Sequence, residues 1–262
     1  IGDAGAFAAM AEAARAAGKG IVAIKSGKTA QARAAAASHT AALAGGGAAS
    51  SAFLAACGVA EVATPAELLE TLKLLHVHGP GMGRRLCAVA CSGGEAGLTA
   101  DLAGPLGLDL PPPSDDQRAR LSATLGPLVT IANPLDYHTF IWGDGPRTTE
   151  VFATMLSGYD AGLYLIDPPR PDRCDPASYD PALAAIEAAQ AIAGKPALPV
   201  ASLPENLTEA AAEAMIARGI APMMGVETAL SAVRAAQTPP GRAGWRPLPP
   251  VPPYPARLLP ED

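Results

Sequence analysis

The chain has 262 residues and a formal net charge of −6, from 19 basic and 25 acidic side chains. This length is enough for one large domain or two smaller ones, each with a buried core. The acidic balance excludes a general binding surface for nucleic acid or for anionic membranes. No apolar stretch reaches the roughly 18–20 residues that a membrane-spanning helix needs, so we expect no such helix.

The first residues, Ile1-Gly2-Asp3-Ala4, include neither an initiator methionine nor the basic and apolar regions of a signal peptide. We therefore expect a cytoplasmic protein, and a segment cut from a longer polypeptide. The cysteines are too few for a disulfide scaffold and lack the spacing of a zinc site. We predict four free thiols: Cys57, Cys87, Cys91 and Cys174.

Short apolar runs typical of buried strands alternate with alanine-rich stretches typical of helices in the first 78 residues. We predict strands over residues 21–24 and 59–62, and helices over 3–17, from about 48 to 57, and 66–75. Thr64 and Pro65 have the residue types of an N-cap and a first helical position for the last of these helices. The face of that helix predicted to be buried consists of Leu68, Leu69, Leu72 and Leu75.

Residues 76–84 are polar and contain Gly and Pro, so we interpret them as a domain boundary. A second series of predicted strands follows, over residues 86–90, 129–131, 161–166, 198–203 and 220–221. The predicted helices cover residues 95–103, 115–125, 148–156, 179–193, 208–218 and 226–236. Ser114 and Gln117 have the spacing of a capping box. The alternation predicts an α/β fold with parallel sheets, and the Pro-rich residues from 238 onward are interpreted as a linker.

The first candidate site is Ser38-His39-Thr40, which lies between alanine-rich residues and the glycines at positions 45–47. Small residues let a phosphate approach the backbone and the N-terminus of the following helix. Imidazole can form a covalent phosphoryl intermediate, so His39 is a candidate for phosphoryl transfer on an exposed loop. The alternative is a histidine that only satisfies hydrogen bonds within the fold.

The second candidate is Ser92-Gly93-Gly94-Glu95, where a predicted strand turns into a predicted helix. Backbone N–H groups and the helix dipole at such a turn favour an anion. The alternative is a tight turn with no ligand.

The third candidate is the segment Asn133-Pro134-Leu135-Asp136-Tyr137-His138, which follows a predicted strand. Its polar side chains could line a pocket at the carboxyl edge of the sheet. The alternative, which we favour, is an Asx-type turn whose side chains only cap backbone groups.

Residues in both series resemble a known family. Lys25-Ser26-Gly27-Lys28, followed by Ser38-His39-Thr40-Ala41-Ala42-Leu43-Ala44-Gly45, is similar to the phosphohistidine loop of NDP-forming acyl-CoA synthetases, and to the C-terminal half of the succinyl-CoA synthetase α subunit. The second series resembles the flavodoxin-like ligase domain that follows it in the fused enzymes. The resemblance implies two flavodoxin-like, parallel-sheet domains: residues 1–78, which lack the first strands, and residues 84–237, followed by a linker over 238–262.

The resemblance also implies a reaction: acyl-CoA forms from a carboxylic acid, CoA and ATP through acyl phosphate and phosphohistidine intermediates. It makes His39 the phosphorylated residue, although Ala41 stands where the family usually has Gly. The implied phosphate-binding residues are Ser92, Gly93, Gly94 and Glu95. Further implied contacts to the loop or phosphate are Lys25, Ser26, Gly27, Lys28, Ser38 and Thr40, with Asn133 and Asp136 in a possible pocket.

By the same resemblance, the CoA-binding and ATP-grasp modules lie on other parts of the polypeptide or on another chain. We therefore expect this segment alone to bind no cofactor and to be inactive, whereas the complete enzyme uses CoA, ATP and Mg. The expected partners are those modules and a small carboxylic acid, and we expect the protein to form an oligomer. We expect no metal site in this segment, and no binding to nucleic acid or to a membrane. The alternative is an acyl-CoA-sensing regulatory module of a protein acyltransferase, although the presence of His39 favours the enzyme. A receiver or FMN-binding module is disfavoured, because Cys91 and Ser92 replace the receiver's acidic cluster and no Ser/Thr-rich phosphate loop is present.

Overall fold

The computed structural model describes residues 3–40 and 47–238, and its first part contains a small parallel sheet. Strands β1 (Ile21–Ile24) and β2 (Val59–Val62) pair in parallel, with Ile21 opposite Val59. The helices of this part are α1 (Ala4–Ala16), α2 (Ala30–Thr40), α3 (Gly47–Ala56) and α4 (Pro65–His78). The predicted strands 21–24 and 59–62 are therefore confirmed.

The second sheet has five strands, which are all parallel and lie in the order β4-β3-β5-β6-β7. They are β3 (Leu86–Ala90), β4 (Leu135–Asp136), β5 (Ala161–Leu165), β6 (Ala197–Ala201) and β7 (Met223–Met224). Counted from β3, this is the order 2-1-3-4-5 of flavodoxin-like folds. The accompanying helices are α5 (Gly93–Ala103), α6 (Asp115–Leu125), α7 (Gly145–Ser157), α8 (Asp180–Ala193), α9 (Glu209–Ala217) and α10 (Val226–Ala236). The predicted α/β class with parallel sheets is confirmed.

Helices cover both faces of the five-stranded sheet, which explains why its longer strands are apolar throughout. On one face, Leu121 of α6, Phe152 of α7 and Ile186 of α8 are buried in one core cluster. On the other face, Leu230 of α10 shares a cluster with Leu74 of α4. Helix α4 precedes the predicted domain boundary, so a helix of the first part completes the core of the second.

Residues 79–85, between α4 and β3, are attached to the second sheet by hydrogen bonds. The N–H groups of Gly81 and Met82 both donate to Ala236 O at the end of α10, at 3.1 and 3.2 Å. The N–H of Arg85 donates to Asp160 Oδ2 at 3.0 Å. Helix α4 itself continues to His78, beyond its predicted end at residue 75. The domain boundary remains a prediction, and its chain segment is held against α10.

Two predicted helix starts are confirmed by their caps. The Thr64 hydroxyl accepts from Glu67 N at 3.2 Å, while the Glu67 carboxylate accepts from Thr64 N at 3.1 Å. Ser114 and Gln117 form the same reciprocal arrangement at the start of α6. Each box satisfies N–H groups that a helix start leaves without intrahelical partners.

Two strand predictions were wrong. Residues 129–131 do not form a strand, and pairing with β3 begins only at Leu135. The Asn133 side chain bonds the β3 backbone ahead of that point, accepting from Ala88 N at 3.0 Å and donating to Leu86 O at 2.8 Å. The last strand is Met223–Met224 rather than 220–221, because it starts only after Pro222, which has no N–H to donate to a ladder.

The predicted buried face of α4 was also wrong in part. Leu69 and Leu72 are 64% and 46% exposed, whereas Glu70, Thr71 and Leu74 are buried.

The cysteines are free thiols as predicted: Cys57, Cys87, Cys91 and Cys174. No helix in the described part of the chain is long and apolar enough to cross a membrane.

Candidate functional site

Polar residues collect at the carboxyl edge of the five-stranded sheet, where parallel strands all end on the same side. Glu95 follows β3, Asp136 ends β4 and Asp167 follows β5 by two residues. In open α/β sheets, ligands bind in the crevice at this edge. The second and third predicted segments therefore meet here.

The turn Ser92-Gly93-Gly94-Glu95 leads from β3 directly into α5, which begins at Gly93. Ser92 is the N-cap residue, but its side chain makes no capping hydrogen bond. The first helical hydrogen bond runs from Ala96 N to Ser92 O, so the amides before Ala96 have no partner within the helix. This exposed turn offers free N–H groups and the positive end of the α5 dipole.

Asp136 comes close to this helix start. Its Oδ2 lies 3.2 Å from the position that a Cβ on residue 93 would occupy, so glycine leaves room for the carboxylate. Its Oδ1 accepts from His138 N at 2.9 Å, which forms the Asx-type turn that we favoured from the sequence. His138 has a φ of +56°, and its Nδ1 is 3.9 Å from Asp136 Oδ2.

Asn133 lies in the same segment but is not free to line a pocket. Besides its two bonds to the β3 backbone, its Nδ2 donates to Pro111 O at 2.9 Å. These three hydrogen bonds use the carboxamide to hold the β4 segment beside β3. Of the two predicted pocket residues, the structure places Asp136 at the edge beside α5 and gives Asn133 a structural role.

Asp167 belongs to this acidic edge, and the sequence analysis missed it. Its Oδ1 accepts from Ser202 N at 2.7 Å and from Asn206 Nδ2 at 2.9 Å. Both donors follow β6, the strand next to β5. The available signal was position alone, because the residues just after neighbouring parallel strands meet at one edge.

The acidic edge changes the protonation of Glu95. Burial, followed by the charge and hydrogen bond of Asp167 and the charge of Asp136, raises the pKa of Glu95 to about 7. Its Oε2 is buried and has no hydrogen-bond partner among the described residues. Burial and the Glu95 charge also raise the pKa of the Cys91 thiol. Glu95 is therefore partly protonated at neutral pH, which lowers the negative charge beside the start of α5.

Aromatic side chains border the same edge. Tyr137 is buried against Phe152, with ring centroids 5.5 Å apart, and burial raises the pKa of its hydroxyl. Trp142 and Tyr179 meet edge to face, with ring centroids 4.9 Å apart.

Within the residues that the structure describes, no group of three or more His, Cys, Asp or Glu side chains is placed to hold a metal ion.

The predicted lysine segment lies at the carboxyl end of β1. Lys28 Nζ forms a 2.7 Å ion pair with Glu61 Oε1 on β2, and Lys25 Nζ donates to Ser26 O at 2.6 Å. Burial raises the pKa of Glu61, but hydrogen bonds from Lys28 and Ser51 and the lysine charges outweigh it and lower that pKa. Gly27 is buried with a φ of +81°, which a side chain would strain. In this structure, Lys28 compensates a carboxylate of the fold.

The backbone of His39 lies in the last turn of α2, which ends at Thr40. The predicted loop at this position is therefore wrong for residues 38–40, whose backbone is helical because the alanine-rich run favours a helix. The segment 41–46, with Ala41 and the first two glycines of the run at 45–47, lies outside the described residues.

The N-terminal part of the chain matches a known family. Residues 1–75 match the family described as the succinyl-CoA ligase like flavodoxin domain. The match is limited to these residues, which are similar to that family. The chain is also 34% identical over 151 residues to the trans-feruloyl-CoA synthase FCS1 of an unknown prokaryotic organism. That alignment covers 58% of this chain and 21% of the relative.

Solved structures are similar in fold to both parts of the chain. The dinucleotide forming acetyl-coenzyme A synthetase 1 of Ca. Korarchaeum cryptofilum, in complex with phosphate and ADP, matches with a TM-score of 0.72 at 24% identity. The match covers 88% of this chain and 49% of that one. PH0766 from Pyrococcus horikoshii OT3 matches with a TM-score of 0.63 at 21% identity, over 75% and 44% of the two chains. This chain spans about half the length of these solved proteins and about a fifth of the curated relative.

Proposed function

We propose that the chain is part of an acid–CoA ligase of the NDP-forming type. The observation that carries the proposal is the family match over residues 1–75, a segment that contains His39. The feruloyl-CoA synthase relative and the acetyl-coenzyme A synthetase fold both support ligation of an organic acid to CoA. The proposed substrates are a small carboxylic acid, CoA and ATP with Mg.

In the proposed reaction, His39 carries the phosphoryl group between substrates. An imidazole nitrogen forms a bond to the γ-phosphorus of ATP while the bond to ADP breaks. The acid's carboxylate oxygen then takes the phosphoryl group, which gives an acyl phosphate and frees the imidazole. The CoA thiol attacks the acyl carbon and loses its proton, and inorganic phosphate leaves with its electron pair.

The start of α5 is the proposed binding place for the phosphate. Backbone N–H groups at Gly93 and Gly94, with the helix dipole, stabilise an anion by about 0.3–1 kcal/mol at an exposed site. Asp136 opposes such an anion, whereas a protonated Glu95 opposes it less than a charged one. Tight binding therefore needs further groups from modules outside this chain. We expect the chain alone to bind phosphate weakly and to show no synthetase turnover.

The proposed enzyme is cytoplasmic and works with CoA-binding and ATP-grasp modules, on the same or another polypeptide. The additional modules are proposed from the resemblance to the family, and the chain spans only part of the length of its relatives. An acyl-CoA-sensing role would need acyl-CoA binding without turnover in the full-length protein.

The test is phosphohistidine formation in the full-length polypeptide that contains this chain. We expect His39→Ala to abolish acid-labile, alkali-stable label from γ-labelled ATP and to abolish acyl-CoA formation. The matched control is His76→Ala, on the exposed side of α4, which should keep both. The stability of His76→Ala should change by less than about 0.5 kcal/mol, as for most surface substitutions. Normal labelling of His39→Ala would place the phosphoryl group on another residue and overturn the assignment.

A further inference from the structure

A cleft of about 380 Å³ lies between the first sheet and the C-terminal half of α10. Val62 and Ala63 at the end of β2 form one wall, and Leu106 contributes an apolar side chain. Ser231, Arg234 and Thr238 line the opposite wall. Its volume is in the range of small-molecule sites, which are roughly 300–1,000 Å³. We call it the β2–α10 cleft.

The two carboxylates that line the β2–α10 cleft are compensated within the fold. Glu61 forms the 2.7 Å ion pair with Lys28, and its pKa is lowered as described above. Glu67 Oε2 accepts from Ala63 N at 2.6 Å and from Thr64 N at 3.1 Å, as part of the α4 cap. Neither acid therefore needs a ligand cation, and neither is free to pair with Arg234.

Arg234 is the charged group of the cleft that remains without a partner among the described residues. The final carbonyl groups of α10 do not require it either. Ala236 O accepts from Gly81 N and Met82 N, and Ala235 O accepts from Thr238 N at 3.0 Å. The guanidinium thus offers its fork of donors to the cleft.

We propose that the β2–α10 cleft binds a small organic carboxylate through Arg234. The planar guanidinium matches a carboxylate with two parallel hydrogen bonds. The hydroxyls of Ser231 and Thr238 are further donors on the same wall, and the apolar atoms of Val62 and Leu106 suit the body of the molecule. A single cation among apolar groups favours a monoanion with an apolar body over inorganic phosphate, whose higher charge needs more donors.

This cleft is distinct from the proposed phosphate site at the start of α5. Helix α10 begins two residues after β7, near the carboxyl edge of the five-stranded sheet, and has 11 residues. At 1.5 Å per residue, its far end is about 16 Å from that edge. The proposal therefore does not depend on the ligase reaction, and either can fail without the other.

The test is an NMR titration of the whole chain with benzoate, and in parallel with benzyl alcohol and inorganic phosphate. We expect saturable benzoate shifts at the amides of residues 61–64 and 231–238, with a Kd in the millimolar range or tighter. Arg234→Leu should weaken benzoate binding about tenfold or more, a loss of about 1.4 kcal/mol. The matched control is Arg120→Leu, an exposed arginine on α6 that removes the same charge and should bind benzoate unchanged.

Four results would overturn the proposal. They are the absence of saturable shifts, shifts that map away from the cleft, equal benzoate affinity in Arg234→Leu, and phosphate or benzyl alcohol binding as tight as benzoate. Arg234→Lys is a second variant that keeps the charge without the planar fork. It should bind benzoate more tightly than Arg234→Leu and more weakly than the unchanged chain, and any other order would contradict recognition through the guanidinium.

Discussion

Asn133 and Asp136 lie three positions apart in the chain, but their side chains contact different parts of the structure. Asn133 directs its carboxamide to backbone groups of β3 and Pro111, and so holds the segment in place. Asp136 directs its carboxylate to His138 N and to the start of α5. An amide can donate and accept at once, whereas an ionised carboxylate only accepts. The chemistry of the two side chains therefore matches the two positions.

The pKa of Glu95 differs between the folded and the unfolded chain, so the stability of the fold depends on pH at this residue. A free glutamate titrates near pH 4.5, and the fold raises the pKa of Glu95 to about 7. Between these values the folded state binds more protons than the unfolded state, so the free energy of unfolding falls as pH rises. Below pH 4.5 the penalty is absent, and above pH 7 it is complete.

We therefore expect Glu95→Gln to raise the melting temperature at pH 8 and to leave it nearly unchanged at pH 4. Thermal unfolding at several pH values, followed by circular dichroism, measures the difference between the variant and the unchanged chain. Glu213→Gln, on the exposed side of α9, is the control and should follow the unchanged chain. Parallel pH profiles for Glu95→Gln and the unchanged chain would contradict the raised pKa.

Helix α4 shows how packing selects one face of an element over another. Its leucine-rich sequence offers several apolar stripes, and the buried positions Glu70, Thr71 and Leu74 face α10 and the second sheet. Glu70 Oε2 accepts from Met224 N at 2.8 Å, and Oε1 pairs with Lys73 Nζ at 2.6 Å. A buried carboxylate with these partners ties α4 to β7.

We expect Glu70→Ala to lower the free energy of unfolding by about 1–3 kcal/mol. The substitution leaves the N–H of Met224, which makes a part-buried hydrogen bond, without its acceptor, and a donor left unsatisfied away from water costs this much. Guanidinium-induced unfolding measures the loss, which corresponds to roughly 2–4 °C in melting temperature per kcal/mol for a chain of this size. Glu213→Ala should shift stability by less than about 0.5 kcal/mol. A loss no larger than that of this control would mean that the α4–β7 contact adds nothing to stability.

The two sheets of the molecule are joined by helices that pack against both of them, α4 and α10. Ala235 of α10 packs with Ala60 and Val62 of β2, while Leu74 of α4 packs in the core of the second sheet. Two-stranded sheets are marginal in water without such cover. The first sheet therefore depends on α10, and the second sheet depends on α4.

This dependence predicts the behaviour of two fragments that differ only in α4. The fragment 63–238 keeps α4 over the second sheet, and we expect it to unfold in one cooperative transition. The fragment 79–238 lacks Leu74 and Glu70, so it exposes a core face and leaves Met224 N without its acceptor. We expect its melting temperature to be lower and its tendency to aggregate to be higher. Equal melting temperatures for the two fragments would show that residues 79–238 form a domain without α4.

Local patterns in the sequence were enough to predict most elements. The strand 86–90 and the helices α6 and α10 lie where apolar runs and capping residues predict them, because periodicity and caps act within a few residues. Residues 129–131 resemble a strand equally well, and only the tertiary structure excludes them. The Asn133 side chain bonds β3 there, and no local pattern encodes a contact with a strand 45 residues away.

The candidate site divides in the same way. Local sequence was enough to predict that a glycine turn follows a strand, and that the segment with Asp136 could lie at the carboxyl edge of the sheet. Only the folded structure shows that Asp167 and Glu95 share one edge of the sheet, and that Arg234 lines a cleft beside acids that already have partners. Turns and caps depend on neighbours in the chain. The pKa of a carboxyl group, and whether a guanidinium has an ion-pair partner, depend on which distant groups the fold brings within a few ångströms.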